Sequence, residues 1–88
     1  MRRVHVIVRG LVQGVGYRWS TRLVARQNGV TGWVRNLDDG SVEAELQGAP
    51  AQVDAVLEWM AEGPPGAHVD SVDASDLAPT EHGGFTVR

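Results

Sequence analysis

The sequence has no cysteine, no lysine and no long apolar segment. Without cysteine the chain can form no disulfide and can use no thiol nucleophile or thiolate metal ligand. No apolar run approaches the roughly 20 residues that a membrane-spanning helix needs. Residues 1–5 lead directly into an alternating segment and contain no signal-peptide hydrophobic region. We therefore expect a cytoplasmic protein that does not enter the membrane.

Acidic residues are absent from the first 37 positions. All eleven acidic side chains lie from Asp38 onward, whereas seven of the eight arginines lie within the first 35 positions. This separation predicts either a positive field that attracts an anionic ligand or solvated charges on separate elements, and the sequence leaves both open. The net charge of −3 argues against a nucleic-acid partner.

The most informative stretch is 10–18, Gly-Leu-Val-Gln-Gly-Val-Gly-Tyr-Arg, which carries three glycines between a predicted strand and a predicted helix. Glycine allows the tight backbone turns of such a loop. A loop that ends at a helix N-terminus aims several free N–H groups in one direction, which favours an anion. Arg18 stands at the junction, and its planar guanidinium suits a phosphoryl group. The alternative is a structural connection with an exposed arginine.

Other possible motifs are weaker. The loop is not followed by the Gly-Lys-Ser/Thr of a Walker loop, and Trp19 stands where the dinucleotide-binding fingerprint has its last glycine. His5, His68 and His82 are too scattered to predict a metal site. The adjacent acids of residues 38–40, Asp-Asp-Gly, are typical of a hairpin turn.

Hydrophobic periodicity predicts seven elements. Strands are expected at Val4–Arg9, Val30–Leu37, Ser41–Gln47, Ala67–Leu77 and Phe85–Arg88, and helices at about Tyr17–Asn28 and from Pro50 to a stop at Gly63–Gly66. The spacing of Trp19, Leu23 and Val24 supplies the apolar face of the first helix, with Arg22 and Arg26 facing solvent. Trp33 and Trp59 are interpreted as packing residues. Tyr17 and Trp19 flank Arg18, so they either border a site there or pack, and packing is the simpler interpretation. The fourth strand loses its alternation, so we expect a bulge near Asp70–Ser71.

The order β-α-β-β-α-β is that of the α+β ferredoxin-like fold, with two helices on one face of an antiparallel sheet and a short extra C-terminal strand. Right-handed crossovers place the first and third strands side by side in the centre. The glycine-rich loop then lies near the end of the second strand. We expect residues 1–88 to form one domain, with the last strand at a sheet edge.

Two motifs in register resemble those of the acylphosphatase family. The first, G-x-V-Q-G-V-x-[FY]-R, is met by Gly10, Val12, Gln13, Gly14, Val15, Tyr17 and Arg18. The second, G-[FYW]-V-x-N-x-x-x-G-x-V, is met by Gly32, Trp33, Val34, Asn36, Gly40 and Val42. Chain length, motif spacing and element order also agree, so the resemblance covers essentially the whole sequence.

The resemblance implies hydrolysis of carboxyl–phosphate anhydrides to a carboxylate and inorganic phosphate, with no metal and no cofactor. Arg18 and the backbone N–H groups of residues 13–18 (Gln13, Gly14, Val15, Gly16, Tyr17 and Arg18) would hold the phosphoryl oxygens. Asn36 would orient the attacking water through its side-chain amide. These roles suit the chemistry, because an acyl phosphate has a good leaving group and needs mainly positioning and charge stabilisation. The partners are then a small acyl phosphate and the phosphate product, and a monomer is expected.

Two functions of other classes are weighed against this one. A module that binds phosphate without turnover would share the loop, and its variant is the acylphosphatase-like domain of hydrogenase-maturation carbamoyl carriers; the end of the chain at residue 88 argues against that variant. RNA-recognition motifs share the element order, but the third strand, Ser41–Gln47, lacks their aromatic pattern.

Overall fold

The computed structural model describes residues 1–81 and 83–88, and its seven elements follow the predicted order. The strands are β1 (Arg2–Leu11), β2 (Thr31–Asn36), β3 (Val42–Gly48), β4 (His68–Leu77) and β5 (Phe85–Val87), and the helices are α1 (Tyr17–Gln27) and α2 (Pro50–Glu62). His82, expected in the loop before β5, lies outside the described residues. Neither helix in the described part of the chain has the length and apolar character that a membrane crossing needs.

The five strands form one sheet in the order β4-β1-β3-β2-β5. The predicted central position of β1 beside β3 is confirmed, and β1 to β4 pair antiparallel throughout. The extra strand β5 lies at the edge, as expected, but it pairs parallel to β2 and makes the sheet mixed. This order brings the end of β2 next to the loop that follows β1.

A bulge lies where β1 approaches that loop. Arg9 pairs with Ser71 and Gly10 pairs with Val69, so Asp70 has no counterpart in β1. Gly10 has a φ of 133°, and a Cβ there would lie 2.1 Å from the backbone oxygen of His68. The predicted bulge near Asp70 is therefore confirmed, and only glycine allows the two strands to approach this closely.

The core lies between the sheet and the two helices. The alternating valines of β1 (Val4, Val6 and Val8) are fully buried and face the apolar residues of β3. Helix α2 contributes Val53, Val56 and Met60, which are also fully buried and recur at the predicted helical spacing.

The buried face of helix α1 is not the face that carries its large apolar residues. Its buried residues are Tyr17, Thr21 and Ala25, whereas Trp19 is 64% exposed and Leu23 is 59% exposed. Four-residue spacing aligns the three buried side chains on one face of the helix. Small side chains at two of these positions allow close packing against the sheet. The expectation that Trp19 and Leu23 supply the packed apolar face of this helix is wrong.

The other aromatic residues pack as expected. Trp59 is half-buried with its ring centroid 5.6 Å from that of Tyr17. Trp33 is only 7% exposed, although it lies on the sheet face that has no helices. The guanidinium groups of Arg88 and Arg35 lie 4.4 and 5.4 Å from its ring centroid and cover it by cation–π contacts.

The helix-free face of the sheet is polar, and its side chains are paired across strands. The pairs are Arg3–Glu45, His5–Glu43, Arg35–Glu43 and Arg9–Asp73. The hydrogen bond with His5 holds the pKa of Glu43 below its ordinary value. The arginines of the first 35 positions and the acids from Glu43 onward thus meet on neighbouring strands. For these arginines, the charge separation in the sequence reflects cross-strand pairing.

Candidate active site

The loop between β1 and α1 turns through two glycines in the left-handed conformation. Gly14 has a φ of 76° and Gly16, the N-cap residue of α1, has a φ of 77°. A Cβ at either position would meet no atom within 4 Å. The backbone conformation alone therefore calls for glycine, and the space beside the loop is open.

The helix that follows the loop begins with unsatisfied N–H groups. The first helical hydrogen bond runs from Ser20 N to Gly16 O, at 3.0 Å, and no side chain caps the helix. In residues 1–81 and 83–88, the backbone N–H groups of residues 13–19 find no protein acceptor. Several N–H dipoles at the positive end of α1 form an anion-binding arrangement.

Arg18 stands beside these N–H groups, and no aspartate or glutamate side chain of the described chain pairs with it. It differs in this from Arg2, Arg3, Arg9 and Arg35, which all pair with acids. Its Nη1 donates a 2.9 Å hydrogen bond to the backbone oxygen of Arg88, just beyond β5. This bond holds the side chain in place and leaves its remaining donors and its positive charge available to an anion.

Asn36, the last residue of β2, lines the same small cavity. The cavity has a volume of about 160 Å³, and its walls are Val12, Gly14, Gly16, Tyr17, Arg18, Trp19 and Asn36. The Oδ1 atom of Asn36 is buried with no hydrogen-bond donor within reach in the described part of the chain. A buried polar atom without a partner is uncommon, and a water or a functional role is the usual reason.

Gln13 contacts this region through its side chain, in addition to the backbone N–H role expected above. Its Nε2 donates to the backbone oxygens of Leu37, at 2.7 Å, and Ser41, at 3.0 Å. These carbonyls belong to the turn between β2 and β3, directly after Asn36. The side chain of Gln13 therefore ties the glycine-rich loop to the hairpin, whereas the cavity walls include neither Gln13 nor Val15. The sequence signal for this contact is a polar side chain inside a loop that is otherwise rich in glycine and valine.

The hairpin turn is fixed by its own hydrogen bonds. The carboxylate of Asp39 accepts from Ser41 N at 2.9 Å and from the Ser41 hydroxyl. These bonds lower the pKa of Asp39. The expectation that residues 38–40 serve the turn is confirmed.

Tyr17 contributes to the cavity wall from a buried position. Its side chain is 2% exposed, and its hydroxyl donates a 2.7 Å hydrogen bond to the backbone oxygen of Met60. Burial raises the pKa of Tyr17. The phenol is thus a packing group, as expected, and the free group that Tyr17 offers to a ligand is its backbone N–H.

A larger cavity, of about 640 Å³, lies at the other end of the sheet and includes Met1, Gln47, Gln52 and Thr80. Its two glutamine side chains have partners: the amide of Gln47 bonds to both the N–H and the carbonyl of Thr80, and Gln52 accepts from Ala49 N. No three histidine or acidic side chains among the described residues cluster closely enough to hold a metal ion. The small cavity, which is lined by Arg18 and by the start of α1 with its free N–H groups, is the better candidate site.

These features define a small α+β sandwich with free backbone N–H groups and an arginine where its first strand meets its first helix. The family model for acylphosphatase matches residues 4–87. The chain belongs to the acylphosphatase family, and it is an enzyme of that family.

The similarity extends over nearly the whole chain. An acylphosphatase of Haloquadratum walsbyi is 52% identical over 86 residues, which are 98% of this chain and 92% of the relative. The crystal structure of acylphosphatase from Bacillus subtilis superposes with a TM-score of 0.96 at 31% identity, covering 100% of this chain and 99% of that one. An acylphosphatase structure from Coxiella burnetii gives a TM-score of 0.96 at 39% identity, covering 99% and 92%.

Proposed function

We propose that this protein hydrolyses acyl phosphates to a carboxylate and inorganic phosphate without a metal ion. The observation that carries the proposal is that Asn36, whose buried Oδ1 has no donor among the described residues, lines the same cavity as Arg18 and the start of α1. An amide acceptor without a protein donor is suited to a water molecule. The same cavity offers an anion-binding loop, so a water and a phosphoryl group would lie side by side.

The loop and Arg18 bind the phosphoryl oxygens in this scheme. Negative charge on these oxygens must be stabilised as the phosphorus–oxygen bond to the acyl group breaks. Backbone N–H groups at a helix N-terminus are fixed in advance, so they stabilise this charge with little reorganisation. Removing one such donor costs about 3–4 kcal/mol of transition-state stabilisation in enzymes where it has been measured. Arg18 adds a full positive charge and a planar pair of donors.

Asn36 positions the nucleophile. A neutral amide is not a base near neutral pH, but its carbonyl can accept from a water and its NH₂ can donate to one. The water oxygen forms a bond to phosphorus, and the bond from phosphorus to the acyl oxygen breaks with its electron pair. The carboxylate leaves as a weak base, so it needs no proton, and the water proton passes to a phosphate oxygen.

We also propose that residues 1–88 act as one domain, as a monomer, in the cytoplasm. One contiguous cluster of buried apolar side chains connects the sheet with both helices. The absence of cysteine is compatible with a reducing compartment. Nucleic-acid binding receives no support, because paired charged residues such as Arg3 and Glu45 cover the sheet face on which RNA-recognition motifs stack bases.

Phosphate release from benzoyl phosphate in excess chelator tests the proposed function. We expect turnover in chelator, and we expect Arg18→Lys to lower kcat/KM by about 100-fold or more, because a point charge cannot replace the planar fork. Arg26→Lys is the matched control, since Arg26 is an exposed arginine two turns along the same helix. It should retain wild-type activity.

Asn36→Ala should lower kcat by about 100-fold while inhibition by inorganic phosphate is retained. Turnover that chelator abolishes would refute the metal-free route. Saturable phosphate binding without any turnover would leave a phosphate-binding module. Equal losses in Arg18→Lys and Arg26→Lys would remove the role assigned to Arg18.

A further inference from the structure

Trp19 combines three properties that packing does not explain. It is the third residue of α1, it lines the cavity shared by Arg18 and Asn36, and it is 64% exposed. Large aromatic side chains usually bury most of their surface. Side chains on a helix lean toward its N-terminus, so a ring in the first turn leans toward the glycine-rich loop.

The ring of Trp19 is held by Arg22. The guanidinium carbon of Arg22 lies 5.8 Å from the Trp19 ring centroid, within the range of a cation–π contact. Arg22 is half-buried. An exposed tryptophan that is already oriented loses less rotational freedom when a ligand covers it.

The volume of the cavity limits which part of the substrate it can enclose and therefore which part can contact Trp19. A volume of about 160 Å³ is well below the roughly 300–1,000 Å³ of pockets that enclose a whole organic ligand. The cavity can take the phosphoryl group, and the acyl group must then extend out of its mouth. Among the described cavity-lining residues, Trp19 is the one large apolar side chain that is exposed, because Tyr17 and Val12 are buried.

We propose that Trp19 binds the acyl group and gives this enzyme a preference for aromatic and large apolar acyl phosphates over acetyl phosphate. The proposal rests on the proposed function, because it concerns the leaving group of that reaction. The phosphoryl group binds to the loop N–H groups and Arg18, and a flat apolar acyl group covers the indole. Acetyl is too small to cover it.

The test compares kcat/KM for benzoyl phosphate and acetyl phosphate in the wild type and in Trp19→Ala, Trp19→Phe and Leu23→Ala. The ratio of the two substrates is compared between proteins, so the intrinsic reactivity of each anhydride cancels. If the acyl group makes an aromatic contact of ordinary strength with Trp19, Trp19→Ala should lower the ratio of kcat/KM for benzoyl phosphate to that for acetyl phosphate by about 3- to 10-fold. Trp19→Phe should keep most of the ratio. Leu23 is equally exposed one turn further along but does not line the cavity, so Leu23→Ala should keep all of it.

Inhibition by inorganic phosphate separates the two parts of the substrate site. Trp19→Ala keeps its backbone N–H, so its inhibition constant for phosphate should equal that of the wild type. An unchanged substrate ratio in Trp19→Ala, or equal losses for both substrates, would overturn this inference and leave the proposed function intact. A wild type that hydrolyses neither substrate would overturn the proposed function and this inference with it.

Discussion

Replacing Asn36 with alanine should lower activity without lowering stability, because of its unpartnered Oδ1 atom. A buried acceptor that lacks a donor costs about 1–3 kcal/mol of folding free energy. Replacement by alanine removes this acceptor and so raises the free energy of unfolding. The loss of packing contacts offsets only part of this gain in stability, because Asn36 already faces a cavity. We expect the free energy of unfolding to rise by about 1 kcal/mol. For a domain of this size, that equals roughly 4–8 °C in Tm.

Urea unfolding followed by tryptophan fluorescence measures this difference. The buffer must be free of phosphate, because a bound ligand would stabilise the wild type by mass action. Gln47→Ala is the matched control, since Gln47 is also an amide on the sheet, but its Oε1 accepts from Arg3 and Thr80. Its removal leaves those donors unpaired and should cost about 2 kcal/mol.

The changes in the free energy of unfolding of Asn36→Ala and Gln47→Ala are therefore expected to have opposite signs. If Asn36→Ala loses as much stability as Gln47→Ala, then Asn36 holds the hairpin together and its amide is not reserved for water. If Asn36→Ala is stable and retains wild-type kcat, the amide does not position the nucleophile. Only unchanged or raised stability together with a large fall in kcat agrees with the site as proposed.

Three further predictions follow from single contacts. Gln13→Leu removes both hydrogen bonds that tie the loop to the hairpin, and we expect kcat/KM to fall about 10-fold while the melting temperature changes little. Gly32→Ala should prevent folding or cost more than about 3 kcal/mol in urea unfolding, because its Cβ would lie 1.8 Å from the backbone oxygen of Glu45 at a φ of +141°; wild-type stability would refute this. Burial raises the pKa of Tyr17 above its ordinary value of 10.0, so the folded state favours the neutral phenol and loses stability as the pH rises past 10.0. Tyr17→Phe should lose less stability between pH 9 and pH 11 than the wild type does, and parallel curves would contradict the assignment.

Local sequence patterns predict much of this fold because the signals act over a few residues. The alternation of Val4, Val6 and Val8 fixes one apolar face of a strand, and Pro50 together with Gly63 bounds α2. The bulge at Asp70 was also visible, because an extra residue shifts the two-residue period of a strand. These signals depend on neighbouring residues alone, so they do not require knowledge of the tertiary packing.

The candidate site was predictable only in part. The loop glycines and Arg18 were identified from their order along the chain, and their roles in binding stay predictions. The side chain of Gln13 bonds to carbonyls 24 and 28 residues away, so the sequence marks Gln13 as a polar residue in an apolar loop but does not identify its partners. Periodicity favours packing for Trp19 over a place at the border of the site, because it weighs hydrophobicity alone. Which side of α1 is exposed depends on how closely the helix approaches the sheet.

The sequence by itself determined the element order, the apolar faces of the strands and the family. These depend on local conformational preferences, on residue spacing and on two motifs that lie in register. The tertiary structure decided which groups have partners. It paired the arginines of β1 with acids on β3 and β4. Among the described residues, it left Arg18 without an aspartate or glutamate partner and buried the Oδ1 of Asn36 without a donor. Whether a charged or polar group has a partner depends on distances between residues far apart in the chain, and only the packing of the strands and helices fixes those distances.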